Sequence, residues 1–359
     1  MQPLYDLKTP DRLDPRVYQL AEKAHHLFPV PRDNAVGTND FNNAITLIRF
    51  RKNRVVYDEI ARDFFKYVSG GELSFMPVFD NNVIGYGQTR RFVRVDLKTS
   101  QVREHRICYP LEETIQKIAL SDNSKEHYIF QIEKFAKDTV DTSNYKTLLR
   151  LMDLSGKEPV LLRERELPQT VKWFTAYHKV FLYSNKMAAY TSRLEPSDHP
   201  MGESYNKNVK SAAWRTYAHP VLPFAVIAVN AEAHILLWGK KDENNYMNLL
   251  KDKAIYFDFA PDAKWVVFQK KFMGDATFYL MPVSEKLPHY LGSPILLYEG
   301  NFLATCWTTN PISFVGSTGT KLRRWELTSQ AYPQAGRMDL HDYFVQKDLE
   351  KLKAQEGAK

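Results

Sequence analysis

Few residues in this chain stand at spacings that could do chemistry. Asp198, His199 and Glu203 lie close together in a polar stretch, and such oxygen and nitrogen donors could ligate a divalent ion. Polar loops collect these residue types by composition alone, so no metal site is assigned to them. His25 and His26 are adjacent, and neighbours along a helix do not face one another. Gly316-Ser317-Thr318-Gly319-Thr320-Lys321 has the composition of a phosphate loop without its spacing, and it sits between two strand-like runs, where a hairpin is expected. Gly85-Tyr86-Gly87 is too short for a dinucleotide fingerprint. Cys108 and Cys306 are far apart and neither belongs to a C-x-x-C pair, which excludes a disulfide framework and a cysteine zinc site. H-E-x-x-H, EF-hand and G-x-S-x-G patterns are absent. No cofactor is expected. A catalytic group assembled from distant segments leaves no local pattern and stays open as an alternative.

Cations recur in clusters instead: Arg51, Lys52 and Arg54; Arg90 and Arg91; Lys134 and Lys137; Lys186; Lys240 and Lys241; Lys270 and Lys271; Lys321, Arg323 and Arg324. The chain holds 49 Lys plus Arg against 42 Asp plus Glu, a formal charge of +7. That excess suits an anionic partner and does not name one. With 359 residues and 44% hydrophobic content, the chain can bury a large core, which excludes a disordered protein. Its 20 Tyr and 21 Phe against 15 Gly favour strands. No apolar run is long enough to span a membrane, and the first residues lack the apolar stretch of a signal peptide. A cytoplasmic location is expected, or a secreted or periplasmic one if a leader has been removed.

The elements that must position these residues form a repeat. An apolar run, a polar turn and a second apolar run recur at Leu73–Tyr86, Gln116–Ile132, Val171–Tyr183, Ala225–Trp238, Ile255–Phe268 and Phe302–Val315. Further strands follow most copies, at Arg91–Leu97, Thr147–Leu154, Thr277–Val283 and Lys321–Leu327, and a fourth is readable at Gln101–Ile107, Glu158–Arg163 and Ser293–Tyr298. The unit is a four-stranded antiparallel meander. A hairpin at Asn43–Phe50 and Arg54–Ile60 reads as a partial first blade whose missing strand comes from the other end of the chain. The fold expected is all-β, a seven-bladed β-propeller, with six or eight blades as alternatives. Short helices are expected at both ends. Asp14-Pro15 reads as a helix start, with Val17, Leu20, Ala21, Ala24 and Leu27 near one face, and Leu340, Phe344, Leu349 and Leu352 recur at helical spacing. The division is residues 1–39 as an N-terminal helical extension, 40–330 as propeller and 331–359 as a C-terminal helical tail.

Phe259-Ala260-Pro261-Asp262-Ala263-Lys264-Trp265 resembles the F-S-P-D-G-K-W turn of TolB-like and WD-repeat propellers. Asp96-Leu97 and Asp153-Leu154-Ser155-Gly156-Lys157 resemble the outer hairpins of the same superfamily, and Trp325-Glu326 resembles the WD dipeptide without its Gly-His partner. The resemblance implies a propeller over roughly residues 40–330. Because propellers host many functions, it does not choose a job.

In such a meander the turns between second and third strands share one end of the blade, and the cation clusters are expected in those turns. The opposite turns carry Asp80, Asp122, Glu126, Glu232 and Asp262. The expectation is a basic loop face formed by Arg51, Lys52, Arg54, Arg90, Arg91, Lys240, Lys241, Lys270, Lys271, Lys321, Arg323 and Arg324, meeting an acidic protein surface. Aromatic residues interleaved with the cations are sparse, which disfavours nucleic acid. The leading reading is a non-catalytic interaction module or assembly subunit. The alternatives are a hydrolase or lactonase-type enzyme with an axial site and a small-ligand-binding propeller.

Overall fold

A computed structural model of the chain describes residues 12–41, 44–62, 74–78, 82–86, 90–108, 112–122, 125–135, 145–213, 215–229, 232–238, 246–250, 254–272, 275–283, 291–292, 294–327, 349–350 and 352–353. The chain begins with strand β1 (Arg16–Ala24). Blade 1 follows as β2 (Phe28–Pro29), β3 (Ala35–Thr38), β4 (Ile45–Phe50) and β5 (Val55–Ala61). Blade 2 is β6 (Ser74–Val78), β7 (Asn82–Tyr86), β8 (Arg91–Asp96) and β9 (Val102–Arg106). Blade 3 is β10 (Glu113–Asp122), β11 (His127–Phe135), β12 (Tyr145–Asp153) and β13 (Val160–Leu167). Blade 4 is β14 (Lys172–Ala176), β15 (Lys179–Tyr183), β16 (Met187–Thr191) and β17 (Pro196–Ser197), after which comes helix α1 (Pro200–Asn208).

Blade 5 is β18 (Arg215–Ala218), β19 (Phe224–Val229), β20 (Glu232–Leu237) and β21 (Tyr246–Leu250). Blade 6 is β22 (Ala254–Phe259), β23 (Trp265–Phe272), β24 (Asp275–Pro282) and β25 (Ile295–Glu299). Blade 7 is β26 (Ala304–Thr309), β27 (Ile312–Ser317) and β28 (Gly319–Glu326), and β1 joins β28 as its fourth strand. The seven four-stranded antiparallel sheets make the chain an all-β, seven-bladed β-propeller. Among the described residues no helix is long and apolar enough to cross a membrane.

The structure departs from the sequence expectation in two places. Residues 16–24 form a strand, not a helix: Tyr18 and Leu20 are buried in alternation, while Val17 is 54% exposed. The segment fits both periods, and pairing with β28 decides for the period of two. Blade 1 is also complete without help, because β2 and β3 precede the expected hairpin. The shared strand runs the other way, from the N-terminal segment into the last blade. At the C-terminus Leu349, Glu350, Leu352 and Lys353 have helical backbone, and Leu340 and Phe344 lie outside the described residues.

The chain divides into two compact units. One, Val17–Gly202 with Phe302–Arg324, holds blades 1 to 4 and nearly all of blade 7. Its core lies between neighbouring blades. Ile45 and Leu47 pack with Val83 and Val93, Phe92 with Phe130 and Leu148, and Leu149 and Leu151 with Trp173 and Val180. Tyr18, Leu20, Val36 and Ile48 pack with Val315 and Leu322. Burial on this scale is the main favourable contribution to the fold, because each inward strand residue leaves water entirely. The other unit, Glu203–Asn301 with Met1–Arg16 and Trp325–Lys359, holds blades 5 and 6. Aromatic rings join them: His219 stacks on Phe224 at 5.0 Å and meets Phe259 edge-on at 5.1 Å, and Tyr217 lies 5.6 Å from Phe257.

Candidate functional site

Among the described residues the densest group of exposed cations sits on the β4–β5 hairpin. Arg51 N–H donates to the Arg54 carbonyl at 2.9 Å, closing a tight turn over Lys52 and Asn53. Arg51, Lys52 and Arg54 are all exposed, and Arg51 and Arg54 flank the turn opposite each other. Like charges opposite each other on a hairpin destabilise it, by about 0.2–1 kcal/mol for a directly facing pair. Asp33 and Asp58 of the same blade both pair with Arg49. Burial alone would lower the Arg49 pKa, but its hydrogen bonds and ion pairs with Asp58 and Asp33 outweigh that and raise it. Counting Arg49, four cations stand against these two acids, so the turn keeps a net positive charge.

Other predicted cations are placed differently. Arg90 and Arg91 lie at the β7–β8 connection, where Arg91 pairs with Glu104 at 2.6 Å. Lys134 reaches Glu113 at 3.8 Å. Lys186, Lys271 and Lys321 are exposed, and Arg323 donates to the Thr318 hydroxyl at 2.8 Å. Lys270 and Arg324 are each only 2% exposed and do not belong to a surface. Arg324 donates twice to the Ser313 hydroxyl at 3.0 Å and lies 4.6 Å over the Phe50 ring, a packing role. Lys137, Lys240 and Lys241 fall outside the described residues.

Strand order also changes which turns these are. The Arg51–Arg54 turn joins the third and fourth strands of blade 1, and the connection holding residues 240 and 241 joins the third and fourth of blade 5. In a meander these turns are at the end of the blade opposite the second-to-third turns. The first strands of those two blades were missed because β2 is two residues long and β18, Arg-Thr-Tyr-Ala, has no apolar run.

Asp198, His199 and Glu203 do not converge on a metal site. His199 Nδ1 accepts the Met201 N–H at 3.1 Å at the start of α1, and its ring stacks on Tyr177 at 5.6 Å. Burial, together with the charge of Lys179, lowers its pKa. Asp198 and Glu203 are exposed, and among the described residues no group of three or more His, Cys, Asp or Glu is placed to hold a metal. The His25 and His26 N–H groups donate to Asp40 Oδ2 at 2.6 and 2.8 Å, a chain-reversal device after β1. Both cysteines are buried, and burial pushes the Cys108 thiol up to about 12, which leaves it unreactive at neutral pH. The glycines of the 316–321 segment serve the hairpin: a side chain on Gly316 would stand 2.5 Å from the Phe302 ring, and Gly319 has φ +93°.

Ion pairs between blades were not visible in sequence. Arg94 of blade 2 holds Glu126 of blade 3 at 2.7 Å and also donates to the Leu154 carbonyl at 3.2 Å. In blade 3, Arg150 grips Glu113 through two bonds of 2.6 and 2.8 Å and reaches the Ile107 carbonyl at 3.1 Å, beside blade 2. The partners are distant in the chain and of common type, so no local pattern announces them. A cavity of about 210 Å³ opens between blades 2 and 3, lined by Arg94, Arg103, Asp96 and Glu126 among others. Its two cations and two acids balance, and Arg94 is already committed to Glu126.

No family model matches the chain, and no curated protein matches it. Among solved structures it is similar to a chain of the crystal structure of the mitotic checkpoint complex, with a TM-score of 0.56 and 9% identity over 92% of this chain and 99% of that one. At that identity the likeness concerns the fold alone.

Proposed function

We propose that this protein is a non-catalytic β-propeller that serves as an interaction module or assembly subunit, engaging an acidic protein surface through exposed cationic turns. The observation that carries the reading is the Arg51–Arg54 hairpin, where three exposed cations share one tight turn while the neighbouring acids pair elsewhere. A turn with only a structural role gains nothing from this arrangement, whereas an acidic partner converts the repulsion into attraction. The solved relative belongs to a protein complex, which is compatible with an assembly role. Sparse aromatic residues in the cationic turns argue for protein over single-stranded nucleic acid.

The test is fluorescence anisotropy with labelled polyglutamate and a labelled single-stranded oligonucleotide, at low and high salt. Wild type should bind polyglutamate in a salt-sensitive manner, and the Arg51→Gln/Lys52→Gln/Arg54→Gln variant should lose most of that binding. Equal binding by the variant would refute the proposed site. Tighter binding of the oligonucleotide would refute the partner class.

A further inference from the structure

The outer edge of blade 3 differs from the other described outer strands. β13, Val160–Leu167, pairs with β12 on one side and, among the described residues, with nothing on the other. Six of its eight residues are exposed, including the consecutive Val160, Leu161 and Leu162 at 54%, 50% and 44%. No other run of consecutive large apolar side chains is exposed among the described residues. A bulge opposite Leu151 and Met152 sets off this apolar half from the charged half, Arg163-Glu164-Arg165-Glu166. An open edge offers a row of backbone N–H and C=O groups to an incoming strand.

The charges alternate by face. Arg163 and Arg165 point toward blade 4, where Arg163 pairs with Glu195 at 3.0 Å and Arg165 lies 4.4 Å over the Tyr190 ring. Glu164 and Glu166 occupy the other face, paired with Arg150 at 2.6 Å and Lys146 at 3.1 Å. These contacts hold the four side chains in fixed directions along the edge, and Arg163, Glu164 and Glu166 stay exposed to an arriving strand.

This pattern selects the occupant. When two copies of one strand pair antiparallel about a twofold axis, residues facing each other lie on the same face. Overlap of the charged half would then set Arg against Arg and Glu against Glu, which is destabilising. The edge is guarded against its own kind. A strand from another protein meets no such penalty if its charges alternate in the opposite sense.

We infer that the open edge of β13 is a docking site for an extended segment of a partner protein, which adds antiparallel as a fifth strand. That segment carries acids opposite Arg163 and Arg165, cations opposite Glu164 and Glu166, and apolar residues opposite Val160 to Leu162. Backbone pairing supplies the attachment and the alternating side chains supply the choice of partner. The inference deepens the reading of the protein as an interaction module and rests on it, but uses a surface separate from the cationic hairpin.

The probes are two labelled peptides of identical composition, KEKEVIV, which matches the edge, and EKEKVIV, which sets like charges against it. Binding is followed by fluorescence polarisation. KEKEVIV should bind about tenfold more tightly, as four favourable cross-strand pairs become four unfavourable ones. Leu161→Lys should abolish that binding, and Leu303→Lys, at an exposed apolar site on another blade, should not. Equal binding of the two peptides, or binding of neither, would overturn the inference. Dimerisation of the chain that Leu161→Lys abolishes would also overturn it, in favour of a second copy. If the peptides fail while polyglutamate still binds through Arg51–Arg54, the interaction-module reading survives and the edge site alone is lost.

Discussion

The buried ion pair in blade 3 gives the sharpest test of how the blades are held. Glu113 is 1% exposed and accepts hydrogen bonds of 2.6 and 2.8 Å from Arg150. Arg150 keeps Glu164 at 2.6 Å and the Ile107 carbonyl at 3.1 Å, whereas the other cation near Glu113, Lys134, is 3.8 Å away. For Arg150, burial alone would lower the pKa, and its bonds to Glu113 and Glu164 reverse the direction. Removing one partner of a buried pair costs about 3–5 kcal/mol, because the other charge is left without compensation. Arg150→Ala strands a carboxylate that is almost fully buried, so it should fall at the upper end of that range. Glu113→Ala leaves Arg150 two of its partners and should fall at the lower end, about 3 kcal/mol.

Urea denaturation followed by tryptophan emission measures both, with the slope checked for constancy. The double variant should lose clearly less than the sum, since each substitution already breaks the shared interaction. Lys146→Ala, which removes an exposed pair with Glu166, serves as the comparison and should cost under about 1 kcal/mol. A loss below 1 kcal/mol in Arg150→Ala would refute the claim that this pair anchors the blade.

Further predictions concern single turns and one histidine. Ala263 has φ +60°, a left-handed backbone that glycine adopts without penalty, so Ala263→Gly should stabilise by about 1 kcal/mol, read as a higher urea midpoint. Gly316→Ala forces a methyl group against the Phe302 ring and should destabilise by about 1–3 kcal/mol in the same assay. His219 is buried and neutral: its Nδ1 accepts the Val221 and Leu222 N–H groups, and its Nε2 donates to the Ala263 carbonyl at 2.8 Å. Burial lowers its pKa below the ordinary 6.5, with the Ala263 carbonyl opposing in part. The unfolded chain therefore takes up the proton first, so this contribution is complete above pH 6.5 and is lost as the pH falls through the folded value. The urea midpoint should drop between pH 7.5 and 5.5, and the drop should be smaller in His219→Gln.

Hairpins carried most of the fold's legibility. Asp80-Asn81-Asn82 and Tyr177-His178 separate runs that the structure also pairs, and the Phe259–Trp265 turn closes with Ala260 N–H on the Trp265 carbonyl at 2.8 Å. Short strands and strands lacking apolar runs escaped, namely β2, β3 and β18, and their loss shifted the count by two strands in blade 1 and by one in blade 5. The segment of β1 carries apolar residues at both helical and strand spacing, and only its long-range partner, β28, distinguishes the two. The cationic turns were legible by type, but burial was not. Arg324 stands between half-buried Arg323 and buried Trp325, Lys270 between half-buried Gln269 and exposed Lys271, and Arg324 is enclosed by residues elsewhere in the chain such as Ser313 and Phe50.

The central claim is that this propeller works by binding an acidic protein through exposed cations. Affinity isolation from the native source at two salt concentrations, with wild type and the Arg51→Gln/Lys52→Gln/Arg54→Gln variant as bait, tests it most directly. Wild type should retain an acidic partner at low salt and hold it less at high salt, and the variant should lose it. Recovery of the same partner by both baits at both salt concentrations, or of no protein by either, would contradict it.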